Sequence, residues 1–160
     1  MTEIVVRVAD LAAAAGEALL VTLGLGSCVA CVLHDPVAGA GGIAHVLLPS
    51  KTLARDHSNP AKFAETAVPM LVERLVALGA HKERLRARLV GGAAMFANIS
   101  TPGVALMGER NLQAMREALK VARIPVVGEA TGKDYGRSVY LYLPSGRLEV
   151  RSVLHGVREL

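Results

Sequence analysis

The chain has 160 residues, a length suited to one compact domain, and its 52% hydrophobic content can build a core without a disulfide framework or a metal. With 3% aromatics, packing must rest on Val, Leu, Ile and Ala, and two cysteines exclude a disulfide scaffold. The net charge of +4 is a mild basic bias that favours acidic partners in general without indicating nucleic acid.

The start, Met1-Thr-Glu-Ile4, has neither the basic region nor the apolar run of a secretory signal. The longest uncharged run, between Glu17 and His34, contains glycines and falls short of the ~20 residues that a spanning helix needs. The expectation is one domain over 1–160, cytoplasmic, with reduced thiols and no membrane insertion.

Ile4-Val-Val-Arg-Val8 is β-branched and predicts a strand. Ala12 to Ala15 is a short alanine run, too small to mark a boundary. Ala18 to Leu23 predicts a second strand that leads into a turn at Gly24-Leu-Gly26. Cys28 to Leu33 predicts a third, ended by Asp35-Pro36, and Ile43 to Leu48 a fourth, ended by Pro49. The intervening Val37 to Gly42 reads as the turn of a hairpin between these two.

Asn59-Pro60 opens a helix, because asparagine caps and proline fits the first turn. Phe63, Ala67, Met70, Leu71, Leu75 and Leu78 form its apolar face, Gly79 ends it, and Pro69 predicts a kink. Lys82 to Arg88 alternates basic and apolar residues, and its plain reading is the solvated face of a strand. Arg86 to Val90 predicts a strand, followed by Gly91-Gly92. Leu112, Met115, Leu119 and Ala122 mark a second helix before Pro125. Ser138 to Leu143 and Arg147 to Arg151 alternate with period two around Pro144-Ser-Gly146, a hairpin. Hairpins of strands with two main helices define an α+β class, a layered sandwich of largely antiparallel sheets.

The chemistry concentrates in Thr22-Leu-Gly-Leu-Gly-Ser-Cys28 and Gly41-Gly-Ile-Ala-His45. A cysteine at the end of a glycine turn is presented for attack, and backbone N–H groups at Gly26 and Ser27 can converge on the oxyanion that attack produces. His45 is the candidate base, brought towards Cys28 by hairpin pairing. Thr22 is placed to orient its imidazole, the task of a third residue in a triad. Against this stand plainer readings: a buried inert cysteine, a histidine on a solvated sheet face, and a threonine chosen for β-propensity.

Cys28-Val-Ala-Cys31 also suggests a redox pair or a zinc site with His34. On a strand, residues three apart point to opposite faces, so these thiols are expected to diverge, leaving Cys31 as a core residue. The glycine turn lacks the Lys-Ser/Thr of a phosphate loop, which argues against a nucleotide.

Val21-Thr-Leu-Gly-Leu-Gly-Ser-Cys-Val29, His34-Asp-Pro36 and Gly42-Ile-Ala-His-Val-Leu-Leu-Pro49 resemble the chemoreceptor glutamine deamidase family, CheD. The resemblance continues in order through Gly91-Gly-Ala-Ala-Met-Phe96, a helix opening at Gly108-Glu-Arg-Asn111, Ile124-Pro-Val-Val127, Thr131-Gly132, Gly136-Arg137 and the closing strand from Gly146 to Val153. It implies a cysteine-hydrolase fold like that of bacterial toxin deamidases. It implies deamidation of receptor glutamines by Cys28, His45 and Thr22, with no metal or organic cofactor. The implied partners are methyl-accepting chemotaxis receptors and, for some members, a CheC-type phosphatase. Alternatives from other classes are a non-catalytic adaptor, another cysteine amidase, protease or methylesterase, and nucleic-acid binding through the Lys82–Arg88 region.

Overall fold

Two five-stranded sheets pack face to face, and two helices cover the outer face of the second sheet. The computed structural model describes residues 1–95 and 102–160, with the backbone alone at 102–105. Phe96 of the glycine-glycine-alanine segment lies outside the described residues.

The strands in chain order are β1 (Thr2–Val5), β2 (Asp10–Ala15), β3 (Ala18–Leu25), β4 (Val29–Asp35), β5 (Ala40–Val46), β6 (Arg86–Gly91), β7 (Val126–Thr131), β8 (Arg137–Leu143), β9 (Arg147–Ser152) and β10 (Gly156–Glu159). The helices are α1 (Ala64–Ala77) and α2 (Pro102–Val121). The first sheet has the order β1-β3-β8-β9-β10 and the second β2-β5-β4-β6-β7. Two pairings, β1 with β3 and β6 with β7, are parallel, and the other ladders are antiparallel. The α+β sandwich expected from the sequence is therefore found.

Strand periodicity divides the core into two layers. In β4, Ala30 and Val32 face the first sheet and, with Ile43 of β5, meet its Leu20, Val139 and Leu141. Val29, Cys31 and Leu33 face the helices, against Leu71, Leu75, Met115 and Leu119. Every residue of β4 and β5 is buried, which explains their nearly unbroken apolar sequences.

Several expectations shift. The turn read over Val37 to Gly42 is shorter, because β5 begins at Ala40. Gly41 and Gly42 are strand residues at points of close approach. A Cβ on Gly41 would stand 2.8 Å from Leu143 Cδ2, and one on Gly42 would stand 2.7 Å from Leu71 Cδ1. Asn59 caps a short 3-10 turn, Pro60–Lys62, ahead of α1, and α1 continues through Pro69. Gly79 ends it with φ +101°.

The basic cluster is not one strand face. Lys82–Arg84 is a 3-10 turn, while the strand begins at Arg86, where the sequence places it. Arg84 is drawn to the buried carboxylate of Asp35, with Nε 2.9 Å from Oδ1. Arg88 reaches the carbonyls of Gly146 at 2.7 Å and Leu160 at 3.0 Å. Two of its cations are thus spent on internal contacts.

The second helix does not open at Gly108. It starts at Pro102, a residue suited to a first helical position, and Gly108 lies one and a half turns inside. A side chain at Gly108 would run into the carbonyls of Gly92 and Ala93. The glycine is there for close packing.

Candidate active site

Thr22 and His45 come from different sheets. In β3, Thr22 shares the inward parity of Ala18 and Leu20, and in β5, His45 shares that of Ile43. The two side chains meet between the sheets, fully buried, with Thr22 Oγ1 2.7 Å from His45 Nδ1.

The direction of that bond follows from a second one. The Thr22 hydroxyl donates to the Val6 carbonyl at 2.7 Å. A hydroxyl has one proton, so towards His45 it can only accept. His45 Nδ1 therefore carries the ring proton, and Nε2 presents its lone pair. Among the described residues, that buried Nε2 has no hydrogen-bond partner. Burial lowers the imidazole pKa from the ordinary 6.5 to about 4, so the ring is neutral at physiological pH.

Cys28 lies in the link from β3 to β4, half-buried against the inter-sheet core. His45 pairs with Ala30, which is two residues on from Cys28 and on the same face. A diagonal offset of this kind lies within side-chain reach across an antiparallel pair. Burial raises the Cys28 thiol pKa, and its own backbone N–H offsets part of that rise. Cys31 faces the helical layer instead, and burial pushes its thiol up to about 12. The two thiols diverge as strand geometry predicts, which removes the redox and zinc readings of this pair. His34, at the far end of β4, donates from Nε2 to the Pro144 carbonyl at 3.0 Å.

The turn before the thiol is held by its carbonyls. Ala93 N–H donates to Gly26 O at 2.8 Å and Gly92 N–H to Cys28 O at 2.9 Å. Asn111 Nδ2 donates to Ser27 O at 2.9 Å. Among the described residues, the backbone N–H groups of Ser27 and Cys28 have no backbone carbonyl partner. Gly24 has the left-handed φ of +69°, where β3 shifts register against β8. Gly26 does not need that conformation, and it leaves room for Met95, whose Sδ would lie 2.8 Å from a Cβ there.

Asn111 was not singled out by sequence reasoning as a site residue. It is fully buried, and a second bond from Nδ2 reaches Leu47 O at 3.1 Å. The available signal was its spacing: it sits four residues before Met115, on the stripe that carries the core side chains of α2. A groove of about 420 Å³ borders the turn at Gly24, lined among others by Met95, Tyr135, Arg137, Val153 and Leu154. A larger one of about 610 Å³ lies between α1 and α2.

A half-buried thiol within diagonal side-chain reach of a buried imidazole of defined tautomer, on a turn whose N–H groups at Ser27 and Cys28 have no backbone carbonyl partner among the described residues, has the equipment of a thiol hydrolase. The chain belongs to the CheD family: the model of that family, described as CheD chemotactic sensory transduction, matches residues 47–152. A relative from Caldanaerobacter subterraneus is 42% identical over 96% of this chain and 94% of its own. Relatives from Pyrococcus abyssi, 42% identical over 96% and 94%, and Clostridium kluyveri, 39% identical over 99% and 98%, are equally complete. Each of the three is named probable chemoreceptor glutamine deamidase CheD. The family match begins at residue 47, beyond Thr22, Cys28 and His45, so the roles of these three rest on their geometry.

Proposed function

We propose that this protein deamidates specific glutamine side chains of methyl-accepting chemotaxis receptors, giving glutamate and ammonia, with Cys28 as nucleophile, His45 as acid and base, and Thr22 orienting His45. The observation that carries the reading is the Val6–Thr22–His45 chain, which fixes the imidazole tautomer with Nε2 as the open base.

Both burial shifts favour neutral groups at rest, so the proton moves as the sulfur attacks. The Cys28 thiol adds to the glutamine Cδ while its proton passes to His45 Nε2, and the carbonyl oxygen becomes an oxyanion. The N–H groups of Ser27 and Cys28 supply hydrogen bonds to it, with Gly26 leaving room for the turn. The intermediate collapses as His45 returns the proton to the departing nitrogen; the C–N bond breaks and ammonia leaves. Water then gives one proton to His45 and its hydroxyl to the thioester carbon. The C–S bond breaks, the sulfur regains its proton, and glutamate is released. Each cycle adds one negative charge to the receptor.

The free thiols suit a reducing compartment, the cytoplasm. Among the described residues, no helix is long and apolar enough to cross a membrane. In this reading receptors are the substrate partners, and a CheC-type phosphatase, the partner implied for some members of the family, is a regulatory one. Nucleic acid has no part in this reading: of the four cations in the densest basic cluster, Arg84 and Arg88 are engaged within the fold.

The test is mass spectrometry of a receptor fragment incubated with the protein. A gain of about one mass unit at particular glutamines, absent with Cys28→Ala, is expected from exchange of an amide for an acid. Full activity of Cys28→Ala would overturn the mechanism, and receptor binding without ammonia release would favour an adaptor.

A further inference from the structure

Asn111 places a carboxamide where the stripe of α2 otherwise carries Leu112, Met115 and Leu119. Its Nδ2 bonds go to Ser27 O at 2.9 Å and Leu47 O at 3.1 Å. Both partners are carbonyl oxygens, so only the amide nitrogen can face them and the orientation of the group is unambiguous. Each partner adjoins one half of the reacting pair. Ser27 directly precedes Cys28, and Leu47 follows His45 by two residues.

A trans peptide unit carries its C=O and its N–H on opposite sides. The Ser27 C=O and the Cys28 N–H belong to one such unit. A donor that holds the carbonyl against α2 therefore aims the Cys28 N–H away from α2. The units on either side are held likewise, by Ala93 N–H on Gly26 O and Gly92 N–H on Cys28 O. The turn thus has three anchored carbonyls, and the central one depends on a side chain. Rotation of that peptide would swing the Cys28 N–H off the reacting oxygen.

We infer that Asn111 is a positioning residue for the deamidation: it locks the Ser27–Cys28 peptide so that the Cys28 N–H meets the oxyanion, and it ties the chain after β5 to the nucleophile turn. The inference rests on the thiol-hydrolase reading given above.

The experiment compares wild type, Asn111→Leu, Asn111→Asp and Cys28→Ala in the full chain. Three quantities are read: kcat and KM for ammonia release from a receptor fragment, Cys28 alkylation by iodoacetamide, and affinity for a receptor peptide bearing a γ-aldehyde in place of the target amide. The aldehyde adds to the thiol and places an oxygen where the oxyanion forms. Alkylation displaces iodide and builds no oxyanion. Asn111→Leu is expected to lower kcat on the order of 100-fold, with aldehyde affinity falling in step. KM and the alkylation rate should stay within about threefold of wild type. Asn111→Asp is nearly isosteric but loses at least one of the two bonds, since a carboxylate donates none and a carboxylic acid only one, so kcat and aldehyde affinity should fall together there too.

A wild-type kcat in Asn111→Leu would overturn the inference. So would an alkylation rate that falls together with kcat, or failure of both variants to fold, since either marks a merely structural asparagine. Activity in Cys28→Ala would instead defeat the thiol reading itself. An inert Cys28→Ala beside a fully active Asn111→Leu would defeat only the role of Asn111.

Discussion

Thr22 Oγ1 and His45 Nδ1 stand 2.7 Å apart across the layer between the two sheets, and the Thr22 proton is already committed to Val6 O. The imidazole is thereby held in one tautomer by a residue from the opposite sheet. Thr22→Val keeps the shape and removes the acceptor. The tautomer is then free to invert, and kcat for ammonia release should fall on the order of 100-fold or more, as when a triad loses its orienting group. Thr22→Ser keeps the hydroxyl and should retain most activity. Equal activity in Thr22→Val and wild type would show that the tautomer is not controlled here.

The neutral resting pair has a measurable signature. Burial raises the Cys28 pKa above its ordinary 9.0, and that of His45 is depressed to about 4. Iodoacetamide alkylation of Cys28 should therefore rise with pH through a single inflection above 9.0, with no plateau near neutrality. Cys31 is fully buried and should stay unlabelled in the folded chain. A fast, pH-independent rate between pH 5 and 8 would instead reveal a preformed thiolate–imidazolium pair.

The same depressed His45 pKa sets a stability slope. Between pH 6.5 and about 4 the unfolded chain binds a proton that the folded chain refuses. Stability is therefore complete above pH 6.5 and declines as pH falls through this window. The shift corresponds to a loss on the order of 3 kcal/mol. Urea denaturation at pH 7 and pH 4.5 should show this decline in wild type and a smaller one in His45→Gln. Identical pH slopes in the two proteins would remove His45 as its source.

How far this was legible in the sequence depended on whether the deciding contact was local. The Cys28 turn and the β4–β5 hairpin show as short apolar runs punctuated by glycine and proline, and the pairing of these two strands, which sets His45 opposite Ala30, follows from them. That Thr22 is more than a β-former was not readable from its neighbours. Its partner arrives from another sheet, and its second acceptor is Val6. Among strands, β2 was hidden because Asp10-Leu-Ala-Ala-Ala-Ala15 has poor strand propensity. It is a strand because β5 offers it an edge, pairing Leu11 with Ala44 and Ala15 with Ala40. Gly41 and Gly42 resembled turn residues because glycine serves both turns and close packing.

Asp35 separates folding from catalysis. Burial alone would raise its pKa, but Arg84 and the N–H groups of His81, Ala38 and Val37 together hold the carboxyl well below the usual carboxylate range. Asp35→Ala strands a guanidinium and three backbone donors, and should cost about 3 kcal/mol. Arg84 is one-third exposed and regains some water, so the lower end of such losses applies. Activity per folded molecule should be unchanged, because Asp35 lies at the opposite end of β4 from Cys28. A selective loss of kcat at full stability would contradict this. The carboxylate's contribution is present above the unfolded pKa of ~3.9 and lost as pH falls towards its folded value.

Gly108 sets two principles against each other. In an exposed helix, Gly→Ala stabilises by about 1 kcal/mol, because alanine restricts the unfolded chain and favours the helix. Gly108 sits inside α2, yet a methyl there would run into the carbonyl oxygens of Gly92 and Ala93. Both contacts are backbone, which cannot turn aside as a side chain would. The same two residues donate the N–H groups that hold Cys28 O and Gly26 O. Overpacking typically costs ~1–3 kcal/mol, enough to cancel the propensity gain and reverse it. Gly108→Ala should therefore lower the melting temperature and reduce kcat, since the strain falls on the loop that anchors the nucleophile turn. A raised melting temperature with full activity would mean that α2 shifts freely over this loop, and would leave the nucleophile turn without the support assigned to it.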